Sequence, residues 1–487
     1  KTRTALALSA FATFAFAATL ASAFSGTPPG TLPSCTRSSA STSPAPAPFS
    51  TGEVRARQAR LTSGLSMDTL VLLPAPHEAT RSNDVHYRYR SSSDLMYLTD
   101  WAEPESMGYA FHDGDGWVWG LCVQPKDTLK EIWEGRRLGA EGVLALGMVD
   151  RTHSIHDRDE VVRNLLGKAS RVLLRQNVDP SLDELVRIAM TERSRPRQQF
   201  GTGPVSIEDP SARIAELRLR KSSEEIAMMR HAADISARSH VAAMKLPSKD
   251  LNERHLQAVI EGGFVFGGGD GWAYPSIVGC GVNATILHYT VNDSACEQGD
   301  VVLIDAGTEY KGYASDITRS WPIGGRFSEA QRELYTIVLD AQKAAIDACR
   351  VGEPYNAPHD AARRVLAEGL IALGVIDQTL EEALDMETGE LRWWYMHNTG
   401  HWLGLDVHDV GVYRPNGEPR LLEPGMVLTV EPGLYFGAWR PDVTCPPRYA
   451  DIGIRIEDDV LVTDDGPVVL SDACPKEMDD LEAIVGA

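Results

Sequence analysis

Residues 301 to 321, VVLIDAGTEYKGYASDITRSW, read as a strand, a turn through Glu309 to Gly312, and a returning strand. With Tyr310 and Lys311 at the apex, Asp305 and Asp316 are equidistant from it and face each other, their Cα atoms about 4.5 to 5.5 Å apart. Like charges directly opposite on a sheet destabilise it unless something neutralises them. The pairing therefore asks for a fold that seats a cation between two β-strands. A solvated polar edge would tolerate the pair too, but Ile304, Ala306 and Gly307 leave Asp305 in apolar company.

Other candidate ligands lie more than 80 residues further on. In MVLTVEPGLYF, Glu431 ends a strand written in Val and Leu, and Pro432 and Gly433 turn the chain behind it. In DIGIRIEDDVLVT, Ile452, Ile454 and Ile456 alternate with Gly453, Arg455 and Glu457, so Arg455 and Glu457 share a face. An outward polar face on an amphipathic strand stays open for this segment alone. MHNTGHWLGLDVHDVG, residues 396 to 411, sets His397, His401 and His408 close together in a chain with 13 histidines. Imidazole is the commonest metal ligand, although inert histidines can also cluster by chance. Two Asp, two Glu and one His make an oxygen-rich set that suits manganese or cobalt better than a Cys-bound structural zinc. Four carboxylates able to bridge can hold two ions, about 3.5 to 4 Å apart in two-metal hydrolases.

The 487 residues, 43% hydrophobic and 24% charged, suffice for two or three domain-sized cores. A formal charge of −21 argues against nucleic acid or an anionic membrane as a partner, because nothing would offset phosphate repulsion. The seven cysteines (Cys35, Cys122, Cys280, Cys296, Cys349, Cys445, Cys474) form no CxxC pair, so neither a zinc knuckle nor a dense disulfide framework is indicated. Residues 1–23 begin with Lys1 and Arg3, run through Ala, Phe and Leu, and end in ASA, the layout of a secretory signal peptide. A membrane anchor or an organellar transit peptide is the alternative. Residues 24–51, rich in Ser, Thr and Pro, read as a flexible leader. Residues 52–215 form a mixed α/β stretch, with TLVLLPAP and GWVWGLCVQP as buried strands and DELVRIAMTERSR as a helix. Two prolines and a charged run near 203–222 mark a boundary, after which Ser222 and Glu225 have the spacing of a capping box. A second box, Ser328 with Gln331, opens a helix through about 350.

The segments IDAGTEYKGYASDITR, HNTGHWLGLDVHDVG, TVEPGLY and GIRIEDD occur in the order and spacing of the creatinase/prolidase-like metallopeptidases. The chain most resembles the Xaa-Pro aminopeptidase (aminopeptidase P) branch of that family. EIWEGRRLG, at 131 to 139, and YRYRSSSDLMYLT resemble the N-terminal domain of the same branch. The likeness runs from about residue 52 onward and departs from many relatives at Asn398, where they carry Gly.

The resemblance implies an α+β protein: a C-terminal pita-bread metallopeptidase domain, 216–487, preceded by a smaller creatinase-type α/β domain, 52–215. It implies that Asp305 chelates one ion, Asp316 and Glu457 bridge two, and His401 and Glu431 hold the other, with manganese expected and cobalt or zinc as alternatives. Glu431 would also be the general base for a hydroxide bridging the ions. His288, His397 and His408 would line the substrate site, with His408 stabilising the tetrahedral intermediate. Tyr274 would face the substrate's amino end, and Tyr435 and Arg455 would flank the site. The implied reaction releases the N-terminal residue from peptides with proline in second position, and the implied assembly is a dimer or tetramer. A prolidase acting on Xaa-Pro dipeptides is the alternative, and a non-catalytic binding module of the same fold is a second. In such modules the ligands are lost, whereas all five are present here.

Overall fold

The computed structural model describes residues 45–486. The expected signal segment 1–23, and 24–44 of the expected leader, lie outside the described residues. The leader does not extend to 51. Phe49 is buried with the Arg57 guanidinium 4.3 Å from its ring centre, and Ser50 caps the helix Thr51–Thr62 by accepting from the Glu53 N–H. An apolar anchor and a capping hydroxyl thus bring 47–51 into the first folded unit, 47–218.

That unit is built on a six-stranded mixed sheet in the order Arg151–Ser154, Trp117–Val123, Met107–His112, Thr69–Pro74, Arg171–Leu174, Ser206–Glu208. Helices Arg158–Leu166 and Pro180–Glu192 contribute Val162, Leu166, Leu182, Leu185 and Val186 to a core with Leu70, Leu72, Val172 and Leu174. The Asp179 carboxylate caps the second of these helices.

The second unit comprises the described residues from Leu219 onward. It opens with helix α1 (Ser223–Met244), whose capping box, Ser222 with Glu225, is complete, and helix α2 (Glu253–Phe266). Two further helices, α3 (Glu329–Asp347) and α4 (Ala357–Ala372), stand between two strand pairs. The first pair of strands is interrupted: β2 (Val301–Asp305) and β3 (Thr308–Tyr310) run out, and β4 (Tyr313–Ala314) and β5 (Thr318–Pro322) return. Strand β1 (Ile277–Cys280) pairs with β2 on its other side. The second repeats the design, with β6 (Val427–Val430) and β7 (Gly433–Tyr435) answered by β8 (Gly453–Arg455) and β9 (Asp458–Thr463).

The first hairpin turns one residue later than its sequence suggests. Lys311 and Gly312 both have positive φ, 52° and 84°, which makes them the central pair of a type I′ turn, and Tyr310 pairs with Tyr313. Asp305 therefore lies opposite Thr318, not Asp316. Asp316 sits instead in the break between β4 and β5. Gly307 explains the break opposite it, since a Cβ there would stand 1.8 Å from the Ser315 carbonyl oxygen.

A buried polar stripe of α1 fastens this break. Ser236 Oγ lies 2.6 Å from Ser315 Oγ and accepts from the Thr308 N–H at 2.9 Å, while His240 Nε2 meets the Ala306 carbonyl at 2.9 Å. A disulfide joins Cys280 to Cys296, sixteen residues apart, and closes the loop that carries His288. No spacing rule marks this pair in the sequence, and a loop of that length gains about 3 kcal/mol from closure. Among the described residues no helix is long and apolar enough to cross a membrane.

Candidate metal centre and substrate site

Each interruption of the paired strands delivers one carboxylate. Asp305 is the last residue of β2 and Asp316 precedes β5; Glu431 follows β6, and Glu457 precedes β9. Pro432 has no N–H with which to continue the ladder after Glu431. The Glu457 N–H donates to the Thr318 carbonyl at 3.1 Å and so laces the two hairpins together at their breaks. The histidine segment lies along β6: the Thr429 N–H donates to His401 O at 2.9 Å and the Glu431 N–H to Thr399 O at 2.8 Å.

Asp316, His401 and Glu457 each offer a donor atom, all within 4.8 Å of one another. The His401 ring is fixed by its Nδ1–H, which donates to the Trp402 carbonyl at 3.0 Å. Its Nε2 then faces Asp316 Oδ2, 3.5 Å away, and Glu431 Oε1, 3.6 Å away. Asp305 and Glu431 stand outside the close trio but border the same cavity. Asp305 Oδ2 accepts from Arg455 Nη2 at 2.7 Å, and the Tyr274 hydroxyl meets Asp305 Oδ1 at 2.5 Å and also touches Asp316. Thr318 Oγ1 donates to Glu457 Oε2 at 2.6 Å.

Arg455 and Glu457 are both buried, and so are Ile454 and Ile456 beside them, so this segment has no water-facing side. Burial and the neighbouring charges of Asp316 and Asp305 push Glu431 up to about 7, against the opposing pull of His401 and Arg455. Glu457 is raised well above the carboxylate range by burial and by Asp316 and Glu431. Burial and then Asp305 raise Asp316 as well. Burial lowers the affinity of His401 for a proton, but Asp316 and Glu431 outweigh it and carry the ring to about 9. Such a group of acids stays ionised side by side only with cations among them. Four carboxylates and an imidazole whose second nitrogen is already tied to a carbonyl fit a divalent ion in chemistry and in proximity.

The cavity above the carboxylates measures about 800 Å³ and is bordered by His288, His397, His401 and His408. His397 Nδ1–H donates to the Asn398 carbonyl at 2.7 Å, so its Nε2 accepts from the Tyr435 hydroxyl at 2.8 Å, which in turn accepts from Arg455 Nη1 at 2.9 Å. Burial, with the Arg455 charge, holds His397 down at about 3, hence neutral. The His408 ring packs 4.1 Å from that of His401, and burial lowers its proton affinity too. His288 is exposed at the cavity wall.

Sequence reasoning missed three contributors. His359 on α4 contacts Thr399 Oγ1 through Nδ1 at 2.8 Å and is held at about 4 by burial; no motif surrounds it in APHDAARR. Tyr355 donates to the Gly400 carbonyl at 2.5 Å. Asp459 accepts the Asp316 N–H at 3.1 Å, and the doubled acid of IEDD was its only sign.

Interrupted hairpins that meet at a carboxylate-rich, single-imidazole cluster define a divalent-metal hydrolase. The chain belongs to metallopeptidase family M24, whose model matches residues 227–464, and residues 54–174 match the aminopeptidase P N-terminal domain. It is 38% identical to the Xaa-Pro aminopeptidase of Escherichia coli K12 over 89% of its own length and 98% of that protein. Xaa-Pro aminopeptidase 1 of Streptomyces coelicolor is 36% identical over 89% of this chain and 87% of the relative. Among solved structures, Pseudomonas aeruginosa aminopeptidase PepP superposes with a TM-score of 0.84 at 38% identity, covering 90% of this chain and 98% of its own. Zinc-substituted E. coli aminopeptidase P in complex with product gives 0.85 at 38% identity, covering 90% and 99%. The α+β architecture expected from the motifs is therefore the one present, and the chain is a metal-dependent aminopeptidase.

Proposed function

We propose that the chain releases the N-terminal residue from peptides with proline in second position, using two divalent ions, manganese by preference with cobalt or zinc able to replace it. In this reading Asp305, Asp316, His401, Glu431 and Glu457 would hold the ions. When bound, the ions would lower the pKa of a water and polarise the scissile carbonyl. Glu431 takes the proton from the attacking water and passes it to the imino nitrogen of the departing proline. His408 donates a hydrogen bond to the carbonyl oxygen as charge develops there. Arg455 and Tyr435 orient His397 against the substrate, His288 borders the open end, and Tyr274 faces the amino end. The free amine would sit beside the Asp305 end of the ion site, which restricts attack to the first residue.

The observation that carries this reading is the meeting of Asp316, His401 and Glu457 within 4.8 Å beneath a cavity that Asp305 and Glu431 also border. Proline supplies the reason for a dedicated enzyme. An Xaa-Pro bond has no N–H and a fixed φ, so proteases that grip an extended backbone through that donor lose their hold. A cavity of about 800 Å³ lies toward the upper end of ligand pockets and has room beyond a dipeptide, which favours longer substrates over the prolidase alternative.

The test is a length series with added manganese. A tripeptide and a longer peptide beginning Xaa-Pro are expected to be cleaved with kcat/KM at least about 10-fold above the Xaa-Pro dipeptide. Cleavage of the dipeptide alone would retire the aminopeptidase reading in favour of a prolidase.

We also propose that the protein is exported, on the signal-like residues 1–23 and on the Cys280–Cys296 bridge, since disulfides persist in oxidising compartments. N-terminal sequencing of mature protein that still carries residues 1–23 would contradict this. A homo-oligomer, dimer or tetramer, is supported by helix Thr128–Glu134, which buries none of its residues and exposes Leu129, Ile132 and Trp133. A monomer mass by light scattering would count against it.

A further inference from the structure

Lys221 and Asp409 form an ion pair with Nζ 2.9 Å from Oδ2, and each side chain is 1% exposed. Neither borders the cavity. Taking two charges out of water carries a desolvation cost that only good geometry offsets, so a pair this deep needs a reason of its own.

Both partners are fixed to rigid backbone. The Lys221 N–H donates to the Gly425 carbonyl at 2.8 Å, just ahead of β6, and the next residue is the N-cap of α1. The Asp409 N–H donates at 2.8 Å to the carbonyl of Trp402, the neighbour of His401. Gly404 closes the remaining space: a Cβ there would stand 2.2 Å from Asp409 Oδ2 and 3.0 Å from the Lys221 Cε. Asp409 has no room to swing.

His408 immediately precedes Asp409. Among the described residues no hydrogen bond holds its ring, which packs against His401 at 4.1 Å and reaches into the cavity. Its position is therefore set by the backbone on which it sits, and that backbone is pinned at Asp409. We infer that Lys221 is a positioning residue for the reaction, acting through Asp409 to hold His408 over the scissile carbonyl. The inference rests on the role given above to His408.

A double-mutant cycle on the manganese-loaded full chain tests it, with an Xaa-Pro tripeptide as substrate. Lys221→Met is expected to lower kcat by about 10- to 100-fold with KM within a few-fold, the scale of a misplacement near 1 Å. In a His408→Ala background the same change should cost less than about 3-fold, because the group it positions is gone. Lys221→Arg, which keeps the charge, should recover most of kcat, and bound manganese should be equal in all variants. Loss by the same factor in both backgrounds, or kcat within about 3-fold of the parent for Lys221→Met, overturns the inference. If Lys221→Met does not fold, Asp409→Asn, which keeps the side-chain shape, takes its place in the cycle with the same two outcomes. A His408→Ala enzyme with full kcat would overturn the role of His408 and this inference with it, whereas additivity overturns the inference alone.

Discussion

Glu431→Ala is expected to lower kcat at least about 1000-fold while leaving the protein folded. A general base contributes about 100- to 10,000-fold by itself, and this substitution also removes one donor from the proposed ion site. A factor of 1000 corresponds to about 4 kcal/mol of transition-state stabilisation. The fold should survive because what Glu431 does for the architecture, it does through its backbone. Its N–H donates to the Thr399 carbonyl and Pro432 ends the ladder whatever side chain precedes it. Among the described residues the side chain itself receives only the Thr429 hydroxyl, at 3.2 Å, besides its ionic neighbours. Removing one buried acid from four also relieves repulsion, so the metal-free melting temperature should stay level or rise. Steady-state kinetics on an Xaa-Pro tripeptide and a thermal melt check both halves. A variant that keeps a tenth of the parental kcat would remove Glu431 from the role of base.

The acidic residues of this site were legible because their flanking residues are those of interrupted strands. Gly307 and Pro432 break a ladder for reasons of their own chemistry, and an acid beside such a break is held out of regular pairing. The register was less legible. Gly312 signals the turn, but nothing in a lysine advertises the positive φ adopted by Lys311, so the apex falls one residue later and Asp305 meets Thr318 instead of Asp316. Contacts between distant segments left still less trace. His359 reaches Thr399 from a helix with no neighbouring motif, and Cys280 finds Cys296 through the antiparallel return of β1 and β2. Phe49 sits in a stretch whose Ser and Pro content reads as leader, and its burial depends on the Arg57 side chain that covers it. Sequence spacing reports what a residue does to its own strand; these positions owe their roles to partners outside their own element.

Chelation of divalent ions is expected to reduce cleavage to below about 1% of the initial rate, since without them water is no nucleophile at neutral pH. It should also reverse the way stability depends on pH. In the metal-free protein the proton takes the place of the cation. Glu431 rises from 4.5 to about 7 on folding, mainly through burial, which amounts to about 3 kcal/mol. A raised value means that this contribution is fully present below 4.5 and is lost as pH rises through about 7. His401, raised from 6.5 to about 9, behaves likewise, its share lost as pH rises through about 9. Glu457 and Asp316 are shifted in the same direction. Asp458 acts oppositely, since Arg319 and Lys476 outweigh its burial and hold it near 2, but that contribution is lost only as pH falls below 3.8, outside the window. The metal-free melting temperature should therefore fall between pH 5.5 and 8.5. Ions demand ionised carboxylates and a neutral imidazole, so their binding releases protons and strengthens over the same interval. At a concentration near 1000 times the dissociation constant, bound metal adds about 4 kcal/mol, or on the order of 10 °C for a unit of this size. Melting curves with chelator and with manganese, recorded at both pH values, should show the gain from manganese growing with pH. An equal gain at both would mean that the ions do not compete with protons for these side chains. No gain at either, together with no cleavage even when manganese is added, would return the chain to the binding-module alternative despite its complete set of donors.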